Sequence, residues 1–199
     1  MKVLITGANG FVGSALCRAL VKRGDLVRGL VRATSDLSLL NGLPIEQTQG
    51  DLDDPASLLA ATRGVDVVYH VAAAVSDWGP LSYFRQVNVQ GTQNVLQAMV
   101  QHGVSRMVYV SSAAVHSFID AQDMDEHSPQ LPTPYPYCQT KREAEALALR
   151  YHRDGRVAVT IVRPGDIYGP GDRVVLRRLA RLLRLGAVPY VAEGRLISL

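Results

Sequence analysis

Lys2-Val3-Leu4-Ile5-Thr6-Gly7-Ala8-Asn9-Gly10-Phe11-Val12-Gly13 opens the chain. A short apolar, β-prone run meets three glycines spaced Gly-x-x-Gly-x-x-Gly, and an apolar helical pattern follows to Arg23. A strand–turn–helix start of this kind can cradle a pyrophosphate. Gly7 allows the tight turn, Gly10 lets the backbone approach the phosphates, and Gly13 lets the helix pack close to the sheet. The helix start offers free N–H donors and a partial positive charge to an anion. Asn9, Phe11 and Val12 lie within the same turn and count with the glycines as candidate contacts to a bound dinucleotide. Glycine-rich turns are common, and the spacing alone also fits a structural turn. A strand before it and a helix after it are the context a dinucleotide site needs.

Outward from that turn, strand and helix patterns alternate to the end of the chain. Strand patterns cover 2–6, 26–31, 45–49, 65–70, 106–111 and 157–162; helical patterns cover 11–23, 55–61, 81–102, 136–153 and 173–185. Several strands are near-continuous runs of Val, Ile, Leu and Tyr, as in a parallel sheet covered on both faces. Gly24 and Gly103 stand where helices stop, and Asp53-Asp54-Pro55 reads as a helix start. The alternation predicts an α/β fold with a doubly wound parallel sheet. The stretch 118–137 breaks the rhythm with prolines and acids and reads as a long surface loop beside the site.

The 199 residues suffice for one domain with a full core, and the net charge of +3 points to no particular partner. Cys17 and Cys138 make neither a disulfide framework nor a zinc cluster, which fits a reducing cytoplasm. The five histidines lack metal-ligand spacing, so no metal site is expected. No stretch is long and apolar enough to span a bilayer, and no nucleic-acid motif is present. The basic run from Arg173 to Arg184 reads as a helix with its arginines in water, or as a surface for a membrane or a phosphorylated substrate.

Tyr137-Cys138-Gln139-Thr140-Lys141 places a phenol and an ammonium four residues apart, on one face of a predicted helix. An ammonium that close favours phenolate, and a phenol with an ordinary pKa near ~10 needs such help to act as a base. The same spacing also occurs in plain surface pairs. Val108-Tyr109-Val110-Ser111-Ser112 is a strand ending in hydroxyls, and ligands of open α/β sheets bind beyond the carboxyl ends of strands. Ser112 is either a site residue there or a turn serine.

In this order, Gly7-x-x-Gly10-x-x-Gly13, Ser112 and Tyr137-x-x-x-Lys141 resemble the short-chain dehydrogenase/reductase family. Asn88-Val89-x-Gly91-Thr92 and Arg163-Pro164-x-x-x-Tyr168-Gly169-Pro170-Gly171 resemble its extended branch of NAD(P)-dependent epimerases, dehydratases and reductases. His70-Val71-Ala72-Ala73 and Gly50-Asp51-Leu52 match the 3β-hydroxysteroid dehydrogenase and dihydroflavonol reductase group within it. The resemblance covers essentially the whole chain. It implies a Rossmann domain over 1–171, with 172–199 beginning a substrate lobe that the chain leaves incomplete. It further implies Tyr137 as proton donor or acceptor, Lys141 lowering the Tyr137 pKa and holding the nicotinamide ribose, and Ser112 bonding the reacting oxygen. Asp51, with Leu52, would meet the adenine. Ala72 and Ala73 would let the coenzyme lie close to the fourth strand, and Pro164 and Ile167 would border the nicotinamide. Asn88 would hold a water or a backbone kink, or be a satisfied structural amide.

At the end of the second strand stands Leu30-Val31-Arg32-Ala33-Thr34-Ser35, without the carboxylate that favours NAD. Arg32, with Ser35 beside it, suits the 2′-phosphate of NADP, with NAD the alternative. The expected activity is an NADP-dependent hydride transfer between nicotinamide and a ketone or secondary alcohol of a small ring compound. The alternatives are a nucleotide-sugar epimerase and a non-catalytic NAD(P)-binding protein. A 4,6-dehydratase fits less well, because Ala113-Ala114 follow Ser112 where those enzymes carry an acidic pair. The family's habit implies a homodimer paired through the helices read at 81–102 and 136–153.

Overall fold

Six strands lie parallel in one sheet in the order β3-β2-β1-β4-β5-β6: β1 Lys2–Thr6, β2 Leu26–Val31, β3 Glu46–Gln49, β4 Val67–His70, β5 Arg106–Val110 and β6 Ala158–Val162. The computed structural model describes residues 1–76, 78–116, 124–130, 132–172 and 175–184. The helices are α1 Phe11–Arg23, α2 Pro55–Thr62, α3 Leu81–Phe84, α4 Gly91–Gln101, α5 Pro136–Arg153 and α6 Val175–Arg184. This is the doubly wound Rossmann arrangement that the alternating pattern predicts. The chain leaves β1 toward β2 on one side and reaches β4 on the other, so a crevice opens between β1 and β4 at their carboxyl ends.

Burial follows from the period of two. In β1, Val3 and Ile5 pack with Cys17 and Leu20 of α1, while Leu4 packs on the opposite side with Leu58, Leu96 and Met99. Leu4, Leu58 and Leu96 are completely buried, each worth about 1.5–3 kcal/mol relative to exposure. The outer strands differ from the apolar expectation. β3 reads Glu-Gln-Thr-Gln and β6 alternates between exposed and half-buried positions, as suits edges that must resist pairing with other chains.

Helix ends carry their chemistry openly. Asp54 caps α2 by accepting the N–H groups of Ala56 and Ser57, with Pro55 in the first turn. Gly24 ends α1 in the left-handed conformation with its N–H on Leu20 and Val21 carbonyls. Most boundaries fall within two residues of the sequence pattern. The main departure is the stretch 81–102, read as one helix. Between α3 and α4, Arg85–Gln90 is wound as a π-helix with Asn88 buried inside it. The helical pattern at 173–185 runs past the described residues at both ends, as does most of 172–199. The loop 118–137 is described only in part.

The contact that fixes α1 is steric. A Cβ at residue 13 would lie 2.1 Å from the Gly7 carbonyl oxygen, which is backbone and cannot step aside. Gly13→Ala is therefore expected to lower the urea midpoint, with a cost of about 1–3 kcal/mol. An unchanged midpoint would mean that α1 does not rest on the end of β1.

Candidate active site

The glycine turn is built from backbone. Gly7 adopts φ 69°, and a Cβ there would sit 2.9 Å from the Ala72 Cα, so glycine lets the end of β1 touch the segment after β4. The Gly10 N–H donates to the Gly7 carbonyl at 3.0 Å, and Gly10 is the N-cap of α1 with no side-chain cap. The first turn of α1 carries no acidic residue, so no side chain answers the positive end of its dipole.

Above this turn lies a cleft of about 550 Å³. Its floor is Gly7, Asn9, Gly10, Phe11, Val12 and Gly13; Leu30 and Arg32 border it from β2, and Gly50, Asp51, Leu52 and Asp53 from the loop after β3. Val71, Ala72, Ala73 and Val75 follow β4, and Tyr83, Gln86 and Val87 close the helical side. Arg32 is exposed, and its backbone N–H donates to the Ser35 hydroxyl at 3.1 Å. The Asn9 amide reaches the Asp36 carbonyl at 3.4 Å, and Asp36 turns its carboxylate to the Ser38 N–H. Asp51 accepts the Leu52 N–H at 2.6 Å. A small-residue floor, a helix start and Arg32 at the rim fit a dinucleotide, whose two phosphates need close backbone approach.

A buried polar chain ties this cleft to α5. The Thr6 hydroxyl accepts the N–H groups of Val71 and Ala72, each at 3.2 Å, so its own proton points to His70 Nδ1 at 2.7 Å. His70 Nε2 then donates to the Thr92 hydroxyl at 2.9 Å, and Thr92 donates to the Asn88 carbonyl at 2.6 Å. This sequence assigns the neutral Nε2–H tautomer. Burial, followed by the nearby Lys141 charge, lowers the His70 pKa to about 3. The Asn88 side chain accepts the Ala74 N–H at 2.7 Å and donates to the Ala74 carbonyl and the Thr140 hydroxyl. Asn88 is thus a satisfied amide and also sits in a backbone irregularity, the two roles the sequence leaves open.

At the carboxyl end of β5, Ser112 caps a short 3₁₀ turn by accepting the Ala114 N–H at 3.2 Å, and it stands near enough to the Tyr137 phenol to act on its pKa. Tyr137 departs from the sequence expectation. Burial raises its pKa, opposed by Ser112, and Lys141 does not act to lower it. The reason is geometric. The Lys141 ammonium donates to the Val110 carbonyl at 2.6 Å and lies 4.4 Å from the centre of the Tyr109 ring. Burial pulls Lys141 down to about 7, with Glu145 acting the other way.

The cleft lining thus gathers the glycine turn, Arg32, Asp51, Leu52, Ala72 and Ala73. Ser112, Tyr137 and Lys141 form a second group outside that lining, at the ends of β5 and α5. Pro164 stands with the second group, its carbonyl accepting the Ala113 N–H at 2.8 Å, and Ile167 is partly exposed beyond it. Sequence reasoning missed the Thr6–His70–Thr92 chain. A histidine closing a buried apolar strand was its visible signal. Among the described residues there is no cluster of metal-ligating side chains, and no helix is long and apolar enough to cross a membrane.

The model of the NAD dependent epimerase/dehydratase family matches residues 3–195. A 2-alkyl-3-oxoalkanoate reductase of Stenotrophomonas maltophilia is 39% identical over 205 residues, covering 98% of this chain and 59% of the reductase. A 3 beta-hydroxysteroid dehydrogenase/Delta 5-->4-isomerase of Mycobacterium tuberculosis is 36% identical, covering 98% of this chain and 54% of its own length. The chain therefore spans little more than half of these relatives. Among solved structures, the dTDP-glucose 4,6-dehydratase DesIV of Streptomyces venezuelae with NAD bound superposes with a TM-score of 0.83 at 32% identity. That match covers 95% of this chain and 64% of the dehydratase.

The neutral His70 has a pH signature. As pH falls, the unfolded chain takes up the proton near ~6.5 and the folded one does not until about 3, so stability is lost across that window. The stability gap between the native protein and His70→Gln, measured by urea unfolding, should narrow by about 1.4 kcal/mol per pH unit between pH ~6 and ~4. A gap independent of pH would contradict a buried neutral imidazole.

Proposed function

The chain belongs to the NAD dependent epimerase/dehydratase family, the extended branch of the short-chain dehydrogenases/reductases, and on that premise we propose that it serves an NADP-linked reduction of a ketone or oxidation of the matching secondary alcohol. The observation that carries this reading is the half-buried Tyr137 phenol, which comes under the influence of Ser112 at the carboxyl end of β5. A bound nicotinamide supplies or accepts the hydride. Residues 1–171 form the coenzyme-binding unit of the proposal, with the phosphates on the Gly7–Gly13 turn, the adenine near Asp51 and Leu52, and Ala72 and Ala73 under the dinucleotide. Pro164 and Ile167 border the reacting end.

Chemistry follows from the two hydroxyls. Ser112 donates to the substrate oxygen and holds it beside Tyr137. Tyr137 gives that oxygen a proton in reduction and takes it back in oxidation. Its raised pKa suits the donor role, because the phenol then holds its proton at neutral pH. Lys141 serves as the cation of the site and a contact for the ribose. The named activities of the reductase and the steroid dehydrogenase both suit carbonyl–carbinol chemistry. The steroid relative favours a ring compound, and the 3-oxoalkanoate relative admits an open chain. The two cysteines, Cys17 and Cys138, are free and buried, which suits a reducing compartment such as the cytoplasm.

Arg32 supports NADP over NAD. It stands exposed on the cleft rim where a carboxylate would select a ribose 2′-OH, and Ser35 supports the same turn. A second reading, a nucleotide-sugar epimerase, draws on the likeness to the NAD-bound dehydratase and needs the same Ser112, Tyr137 and Lys141. Ala113 and Ala114, which fill the 3₁₀ turn after Ser112, offer no acid for a dehydratase.

Fluorescence titration with NADPH and NADH, followed by ketone and nucleotide-sugar panels, separates the readings. Net NADPH consumption supports the reductase, and sugar inversion without net consumption supports the epimerase. Binding without turnover leaves a coenzyme-binding protein. Tyr137→Phe should keep NADPH affinity and lose about 10²–10⁴-fold in turnover; undiminished turnover would remove the proton role. Arg32→Asp should swing the NADPH/NADH preference toward NADH, and an unchanged ratio would remove Arg32 from coenzyme selection.

A further inference from the structure

Helix α5 carries Tyr137, Lys141 and Glu145 at a spacing of four, hence along one face. Lys141 and Glu145 are 3% and 1% exposed. An ammonium so deeply buried needs an anion or it surrenders its proton. The groups that touch the Lys141 nitrogen, the Val110 carbonyl and the Tyr109 ring, carry no net charge. The ionisable neighbours are mostly neutral as well. His70 on β4 stays unprotonated, while Tyr109 on β5 and Tyr137 on the same helix keep their protons because burial raises both. Glu145 is the anion that acts on Lys141.

Glu145 is itself gripped from the other side. Arg163, just past the end of β6, binds both of its oxygens, and Gln130 donates to Oε1 at 2.8 Å. Burial works to raise the Glu145 carboxyl, yet the bonds from Arg163 and Gln130, with Ser111 acting the same way, outweigh it and keep the group ionised. Arg163 continues to His116 Nε2 at 3.2 Å and to the Glu126 carbonyl at 3.0 Å. Glu145 thus clamps α5 to the segment 124–130 through Arg163 and Gln130, and it also stands one helix turn from a second buried cation, Lys141.

We propose that Glu145 is a positioning residue that supplies the counter-charge of the buried Lys141 ammonium, and that Arg163 sets how much of that charge Lys141 receives. The inference rests on reading Lys141 as the cation of the site, but it concerns the charge of Lys141 itself. Turnover is not needed to test it, so its failure is separable from failure of the hydride-transfer reading.

The chain has three lysines, Lys2, Lys22 and Lys141, so a protein labelled with ¹³C at the lysine ε-carbon gives a spectrum that Lys2→Arg and Lys22→Arg assign. Lys141 should titrate near about 7 in the native protein, well below the ordinary ~10.4. Glu145→Gln, which keeps the shape and removes the charge, should move that midpoint down by about one unit or more. A merely structural Glu145 gives the opposite sign. Loosened packing would admit water and lift Lys141 toward ~10.4. A midpoint that rises or stays fixed in Glu145→Gln overturns the proposal, as does a native Lys141 that titrates at the ordinary lysine value. Should Glu145→Gln not fold with Arg163 left unpaired, the Glu145→Gln/Arg163→Gln pair carries the same test of sign with a smaller downward shift.

Discussion

Three elements meet at Gly7 and its carbonyl, and the architecture of the cleft depends on the absence of side chains there. The start of α1 presses on that carbonyl through Gly13, and the segment after β4 approaches Gly7 through the backbone of Ala72. Because no side chain separates them, the helix N-terminus is aimed at the floor of the crevice between β1 and β4 rather than over it. The electrostatic consequence is direct. The N–H groups and dipole of α1 face a narrow, small-residue cleft, so an anion there is met by fixed donors that need no reorganisation.

The other half of the site is held by side chains. Thr6, His70, Thr92, Asn88 and Thr140 form one hydrogen-bonded sequence from the end of β1 to the first turns of α5. Each member has a defined donor and acceptor role, and the sequence works with a neutral imidazole at its centre. The π-helical turn at Arg85–Gln90 makes room for it, since Asn88 must face Ala74 and Thr140 together. The helix carrying Tyr137 is therefore registered against the same strand ends that form the crevice. Two groups far apart in the sequence thus keep a fixed relation at the carboxyl edge of the sheet.

How much of this was legible in the sequence depends on the range of the interaction. The Gly7–Gly13 turn could be read because its cause is local: a strand, glycines and a helix start within a dozen residues. Tyr137 and Lys141 could be placed on one face by their spacing, and Ser112 at a strand end by its run of hydroxyls. The effect of Lys141 on Tyr137 was misjudged, because spacing says nothing of desolvation. Burial dominates both groups, and the ammonium is drawn aside to Val110. The π-helical turn leaves no local signature in the sequence, and it accompanies a contact between Asn88 and Ala74, fourteen residues back along the chain. Arg163 is visible in the sequence only as the start of its Arg-Pro motif, and nothing in the sequence pairs it with Glu145. Only the fold places them together at the end of β6, under the segment 124–130.

The two basic groups of the proposed site sit at opposite extremes of solvation, and that difference divides their work. Arg32 is exposed, so its charge costs the fold little and is screened by salt. Such a residue can tune which coenzyme is preferred and can be exchanged without disturbing the core. Lys141 is desolvated, so its charge is a continuing demand on the structure that Val110, the Tyr109 ring and Glu145 must meet. A buried cation near neutrality is poised: small changes in the surrounding charge alter whether it holds a proton, which an exposed lysine would not register. On the proposed function, coenzyme choice falls to the exposed rim, where change is tolerated, and the proton-bearing groups lie inside, where burial sets their pKa values.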